Sequence, residues 1–302
     1  MAFTAKDVQT LREKTGCGMM DCKKALVECD GNMDAAVDFL REKGLAQAAK
    51  KADRVAAEGA VLVVSENNVT AVVEINAETD FVANSDGFKE LTENVAKVVV
   101  RENPADVDAL LECSYEGTKV SDMMQEFFLA VRENIKIRRF ARYEGVVSSY
   151  VHGGGRIGVM VKFDTSAADN ETFKEMAKDV AMQVAAANPA YLDIASVPAD
   201  VLEKEKGILV TQMKEDPKMA NKPEQVLAKI VDGKMGKYYS EVCLTEQTFV
   251  KDGDYTVGKY IAAKAKEIGA DIKIESFVRF EKGEGIQKRE DNFADEVASM
   301  IK

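Results

Sequence analysis

The chain has 302 residues, 46% of them hydrophobic, enough to bury a core and to form two or three units. Its net charge is -11, from 52 acidic and 41 basic side chains, and such a surface argues against direct nucleic-acid binding through a broad basic face. Five cysteines stand at 17, 22, 29, 113 and 243 with no C-x-x-C and no histidine nearby, which argues against a zinc site and a secreted disulfide framework and for reduced cytoplasmic thiols. The opening Met1-Ala2-Phe3-Thr4-Ala5-Lys6-Asp7 holds no apolar signal segment, and no run is long enough to span a membrane. The expectation is a soluble, cytoplasmic protein with no cofactor and no membrane contact.

The Thr4-Ala5-Lys6-Asp7 stretch has the form of a capping box, with Asp in place of the usual Glu or Gln. It predicts a short helix with Val8 and Leu11 on one face, stopping at Thr15-Gly16. Gly16-Cys17-Gly18 reads as a turn, with Met19 and Met20 at its exit. A second helix carries Cys22, Leu26 and Cys29 and breaks at Asp30-Gly31-Asn32. A third carries Val37 and Leu40 and is expected to end at Gly44 as a C′ glycine. Three short helices make a small bundle with a marginal core, in which the cysteines are most simply small buried side chains. Met19 and Met20 suit either that core or an adaptable contact surface beside the turn. Residues 45–57, rich in Ala, Lys and Gln, read as a helical linker. The first 54 residues carry a balance of +1, so a near-neutral segment precedes an acidic remainder.

Two β-branched runs, 61–64 and 69–75, flank Ser65-Glu66-Asn67-Asn68 and predict a hairpin. After the second run come Thr79-Asp80-Phe81-Val82. Asn84-Ser85-Asp86-Gly87 then leads into a helix carrying Phe88, Leu91, Val95 and Val98 at helical spacing. Phe81 therefore stands where a strand hands over to a helix. From there a phenylalanine either folds into the core or faces a partner.

The chain then repeats itself. Glu58-Gly59-Ala60-Val61 opens a hairpin that leads to Phe88-Lys89-Glu90-Leu91. Glu144-Gly145-Val146-Val147 opens a second that leads to Phe173-Lys174-Glu175-Met176. Both copies read strand, strand, helix, which implies two α+β halves with antiparallel sheets, each with one face against helices. Between them, residues 123–131 form an apolar helix with Met124, Phe127, Phe128 and Val131 at core spacing. Only the first copy has Thr-Asp-Phe-Val after its second strand; the other has Phe163-Asp164-Thr165-Ser166. A residue needed to fold the unit should recur in both copies, so the asymmetry moves Phe81 toward function.

Three tempting motifs fail on context. Gly153-Gly154-Gly155-Arg156-Ile157-Gly158 matches the dinucleotide fingerprint, but the residues after it read as a strand where the fingerprint needs a helix. His152-Gly153-Gly154 suggests an oxyanion loop, yet no Ser has a Gly two positions before it. Gly233-Lys234 and Gly258-Lys259 are not followed by Ser or Thr, so there is no P-loop. A hydrolase built on a histidine base would have His152 alone to use.

Residues 198–213 predict a helix with Pro in its first turn and Leu202, Leu209 and Met213 near heptad spacing. Asp216-Pro217 to Lys222-Pro223 reads as a turn, and a returning helix carries Val226, Leu227, Ile230 and Val231. The pair makes a helical hairpin, read either as a projection or as part of a compact domain. Residues 256–268 predict another helix with Tyr260 and Ile261 facing inward. Ile272, Ile274, Ser276, Val278 and Phe280 alternate as a strand that completes one of the sheets. A final helix carries Phe293, Val297 and Ile301.

The run Leu11-Arg12-Glu13-Lys14-Thr15-Gly16-Cys17-Gly18-Met19-Met20-Asp21-Cys22-Lys23-Lys24-Ala25-Leu26 resembles the N-terminal signature of the elongation factor Ts family, and Thr79-Asp80-Phe81-Val82 resembles its second signature. The likeness continues through Glu133-Asn134-Ile135-Lys136-Ile137-Arg138-Arg139 and His152-Gly153-Gly154-Gly155-Arg156-Ile157-Gly158-Val159 and covers essentially the whole chain. One departure is Ala77, where many members have Cys. The resemblance implies a guanine-nucleotide exchange factor without covalent chemistry, whose partner is the translational GTPase elongation factor Tu, bound preferentially without nucleotide. It implies an α+β fold with a three-helix, UBA-like docking domain (1–54), a core subdomain (55–140), a second core subdomain (141–197 and 241–282), a coiled-coil hairpin (198–240) and a C-terminal helix (283–302). It places Thr79, Asp80, Phe81 and Val82 at the site that disturbs the partner's Mg²⁺, and Arg12, Met19, Met20 and Lys23 at a docking surface, with His152 as a further contact. The competing readings are a small hydrolase using His152 and a structural adaptor whose N-terminal unit binds other helices.

Overall fold

In the computed structural model, residues 3–215 and 224–287 are described. They form two compact units, one from residues 3–142, 153–157 and 280–287, the other from 143–152, 158–215 and 224–279.

The first unit opens with α1 (Ala5–Thr15), started by the expected capping box: the Asp7 carboxylate accepts from the Thr4 backbone N–H at 2.7 Å and Thr4 caps Asp7 in return. Gly16 ends the helix in the left-handed region at φ 66, and its N–H donates to the Arg12 carbonyl. Helices α2 (Met19–Glu28) and α3 (Met33–Lys51) follow. Leu11, Cys17, Cys22, Ala25, Leu26 and Leu40 close their shared core. The expected stop at Gly44 is not used; α3 runs through it. A Cβ on Gly44 would lie 2.3 Å from Leu129 Cδ2, so this glycine permits a close approach rather than a cap.

Strands β1 (Glu58–Glu66) and β2 (Val69–Ala77) pair antiparallel from Glu58↔Ala77 to Glu66↔Val69. The turn has two residues, not four: Asn67 and Asn68 both take positive φ, the conformation that a type I′ hairpin demands and that Asn tolerates. There follow the one-turn helix α4 (Asp80–Ala83), α5 (Asp86–Glu102), α6 (Val107–Glu112), the short ribbon β3 (Ser114–Tyr115) and β4 (Thr118–Lys119), then α7 (Val120–Val131) and β5 (Lys136–Glu144). β5 completes the sheet in the order β1-β2-β5. Helix α7 serves two cores. Met123, Met124, Phe127 and Val131 pack on the sheet side, while Leu129 enters the bundle of α1–α3.

Glu74 in β2 is fully buried. A buried carboxylate is tolerated only when its oxygens are answered, and here they are. Arg138 approaches at 3.0 Å and Arg139 at 2.6 Å. The Asn76 amide donates to the same carboxylate, and so does the Gly283 backbone N–H at 2.8 Å. Gly283 has φ 69, and a Cβ on it would sit 2.3 Å from the Ala57 carbonyl oxygen.

The second unit contains β6 (Val146–His152), β7 (Ile157–Thr165) and α8 (Glu171–Ala187), then α9 (Ala199–Glu215), α10 (Glu224–Val242), a small ribbon β8 (Thr248–Phe249) and β9 (Asp252–Thr256), α11 (Val257–Ile268) and β10 (Ile272–Glu281). The predicted last strand does complete a sheet, ordered β10-β7-β6. Strands lie on both sides of the glycine run at 153–155, so it is a hairpin turn. Helices α9 and α10 share a core of Met213, Val231 and Met235 with Leu202, Leu209, Leu227 and Ile230 against it, while Val226 is exposed instead of joining the seam. Pro198 precedes α9 rather than lying in its first turn. Burial raises the Cys243 thiol to about 11, and burial together with Asp179 pushes the Tyr260 phenol up as well. The predicted turn at 216–223 and the helix of Phe293, Val297 and Ile301 lie outside the described residues. The fold is α+β, and no helix among the described residues is long and apolar enough to cross a membrane.

Candidate functional site

The connection between β2 and α5 is built as a clamp with one apolar side chain left out. Thr79 is the N-cap of α4 in extended conformation, and its Oγ1 accepts from the Val82 N–H at 3.3 Å. Successive residues in a helix point about 100° apart, so a single turn cannot bury them all. Val82 and Ala83 go into the sheet core. Phe81 points out and is 85% exposed.

Both ends of this turn are pinned. Thr79 donates twice to the Glu133 carboxylate, from its backbone N–H at 3.0 Å and its hydroxyl at 2.7 Å. The Asn134 N–H donates to Glu78 Oε1 at 2.6 Å, and Arg54 pairs with Glu78 Oε2 at 3.4 Å. Downstream, the Asn84 amide donates to the Asp80 carbonyl at 2.8 Å and the Ser85 hydroxyl to the Val82 carbonyl at 2.7 Å. Leaving a phenylalanine in water forgoes about 1.5–3 kcal/mol of burial. A rigid backbone that holds it there indicates a side chain presented to something else.

The second group of predicted residues lies at the junction of α1 and α2. Arg12, Met19, Met20 and Lys23 are all exposed, Met20 at 74%. Gly18 caps α2 without a side chain, so the two thioethers occupy an open first turn while Cys22 and Leu26 face the core. Val27, 53% exposed, continues the Met20 face two turns further along α2; sequence reading missed it because a lone Val on a helix carries no signal. Both groups belong to the first unit. His152 belongs to the second, exposed at the end of β6, with its Nδ1 3.0 Å from the Tyr150 hydroxyl. Among the described residues no group of three or more His, Cys, Asp or Glu is placed to hold a metal ion.

Sequence reading also missed the clamp itself. Glu133 and Asn134 stood out only as part of a family signature. Their signal is a polar pair directly after the left-handed cap Arg132, which has φ 61.

Fold and site together define a duplicated α+β protein that presents an aromatic side chain from a braced turn. The family model described as Elongation factor TS matches residues 78–284. The elongation factor Ts of Syntrophotalea carbinolica is 49% identical over an alignment spanning 100% of both chains. Those of Clostridium botulinum (strain ATCC 19397 / Type A) and Clostridium novyi (strain NT) are 51% and 49% identical, each alignment covering 99% of this chain and 98% of the relative. The chain belongs to the elongation factor Ts family.

Proposed function

We propose that this protein binds the translational GTPase elongation factor Tu and promotes GDP release during polypeptide elongation. It acts by contact, without covalent chemistry. The observation that carries the reading is Phe81, exposed on a turn braced upstream at Glu78 and Thr79 and downstream at Asn84 and Ser85. In this reading Phe81 enters an apolar pocket of the partner and Asp80 accompanies it. Thr79 and Val82 hold the turn, the one by capping and the other by burial. The turn acts on the Mg²⁺ beside the partner's nucleotide, whose charge helps hold the phosphates. Arg12, Met19, Met20 and Lys23 dock the partner, with residues 1–54 as a docking domain, and His152 supplies a further contact.

Coupling between two ligands of one protein is reciprocal. If this chain weakens GDP binding, GDP weakens the binding of this chain by the same factor. Stopped-flow release of a fluorescent GDP from elongation factor Tu, with calorimetry on the nucleotide-free and GDP-bound partner, tests both sides. Accelerated release with tighter binding to the nucleotide-free form is expected. Equal affinity for the two forms would end the reading.

A further inference from the structure

We infer that Glu133 is the positioning residue of the Phe81 turn, held in place by its neighbours Arg132 and Asn134. The inference rests on the reading of Phe81 as the working side chain.

Three consecutive residues between α7 and β5 each fasten a different element. Glu133 takes both donors of Thr79, the backbone N–H and the hydroxyl. Since the same Thr79 hydroxyl oxygen caps Val82, the carboxylate fixes the rotamer that starts α4. Asn134 takes Glu78 through its N–H and reaches the end of the N-terminal helices through its amide, which donates to the carbonyls of Ala52 at 3.1 Å and Arg54 at 2.8 Å. Arg132 pairs with Asp21 in the first turn of α2 at 2.8 Å, and its carbonyl accepts from Lys51. Asp21 follows Met20 directly. One short loop thus connects the Phe81 turn to the helix that carries Met19 and Met20.

The chemistry suits fixing rather than contact. Glu133 is half-buried and spends both oxygens on Thr79. An ionised acceptor on two donors is stronger than neutral pairing, and a two-point hold removes the twist about the Thr79 backbone that a single bond permits. Without it, Phe81 remains exposed but samples more directions, and a larger entropy loss precedes insertion.

The test uses the full chain and GDP-loaded elongation factor Tu, with release measured by stopped flow across a range of factor concentrations. Glu133→Ala is expected to lower the maximal release rate by about ten-fold, the upper end of what ordering one loosened side chain before insertion costs. The half-saturating concentration should stay within about two-fold, since the docking residues are untouched. Glu133→Gln, which can accept from the Thr79 N–H and donate to its hydroxyl oxygen, should recover most of the rate. In a Phe81→Ala background Glu133→Ala should add no further loss. Should Glu133→Ala fail to fold by circular dichroism, Glu133→Gln with and without Phe81 carries the same comparison at about two- to three-fold amplitude. Additive losses from Phe81→Ala and Glu133→Ala, or a loss confined to the half-saturating concentration, would overturn the positioning role alone. Phe81→Ala releasing GDP at the wild-type rate would instead remove the reading on which it rests.

Discussion

The two copies of the strand-strand-helix motif spend their residues differently. In the first, a two-residue turn at Asn67 and Asn68 joins β1 to β2, and residues 78–85 connect β2 to α5. In the second, residues 153–156 form the turn, and only residues 166–170 connect β7 to α8. The interiors agree nonetheless. Phe88 and Phe173 are both buried at the start of the long helix, each with an aromatic neighbour: Phe127 at 6.0 Å and Phe163 at 5.4 Å between ring centroids. The last aromatic of the second copy before its helix, Phe163, is in the core, whereas Phe81 in the first is in solvent. A duplicated fold thus tells packing from presentation: what both copies keep is core, and what one copy adds in its longer connection is free to serve another purpose.

Truncating the shared residue should show the largest effect. Phe88→Ala and Phe173→Ala are each expected to cost about 3–5 kcal/mol of stability in chemical denaturation, because each leaves a cavity in a closed core. A loss at one position without the other would break the equivalence of the copies.

Phe81→Ala should behave in the opposite way, with unchanged unfolding and GDP release from elongation factor Tu slowed by about ten- to a hundred-fold. A thousand-fold acceleration needs about 4 kcal/mol off the barrier, more than one phenylalanine supplies, so the docking contacts contribute the remainder. Asp80→Ala should lose as much or less. A Phe81→Ala protein that is less stable and exchanges normally would make the first connection a packing element after all.

The smallest effect concerns what each copy inserts before its third strand. The second carries the packed helices α9 and α10, and inside α10 Gly233 and Gly236 have nothing within 4 Å of an added Cβ. No packing requires glycine there, and Gly233→Ala should stabilise α10 by about 0.5–1 kcal/mol. Hydrogen exchange of α10 amides measures it, and unchanged or faster exchange would show that the helix is not limited by its glycines.

Much of this was legible in the sequence because it rests on local rules. Capping at Thr4, alternation in β10 and the glycine turn at 153–155 follow from adjacent residues, and internal repetition singled out Phe81. What escaped depends on distant neighbours. Gly44 has the local look of a helix stop, but Leu129 arrives to make it a contact point. Val226 has the spacing of a seam residue, yet it is exposed while Leu227, Ile230 and Val231 form the contact with α9. The brace on Thr79 comes from 54 positions downstream, and no period or motif links the two.

The Glu74 cluster has a consequence for how the chain is made. Translation delivers residues in order, and Arg138 and Arg139 follow Glu74 by 64 and 65 positions, so the carboxylate meets its counter-charges early. The Gly283 N–H follows by 209. At about 5–20 residues per second, that donor is added to the chain roughly 10–40 s after the carboxylate it answers. For that interval the nascent first unit holds a charged site with one bond unmade, and the donor that completes it stands where the Ala57 carbonyl leaves room for glycine alone.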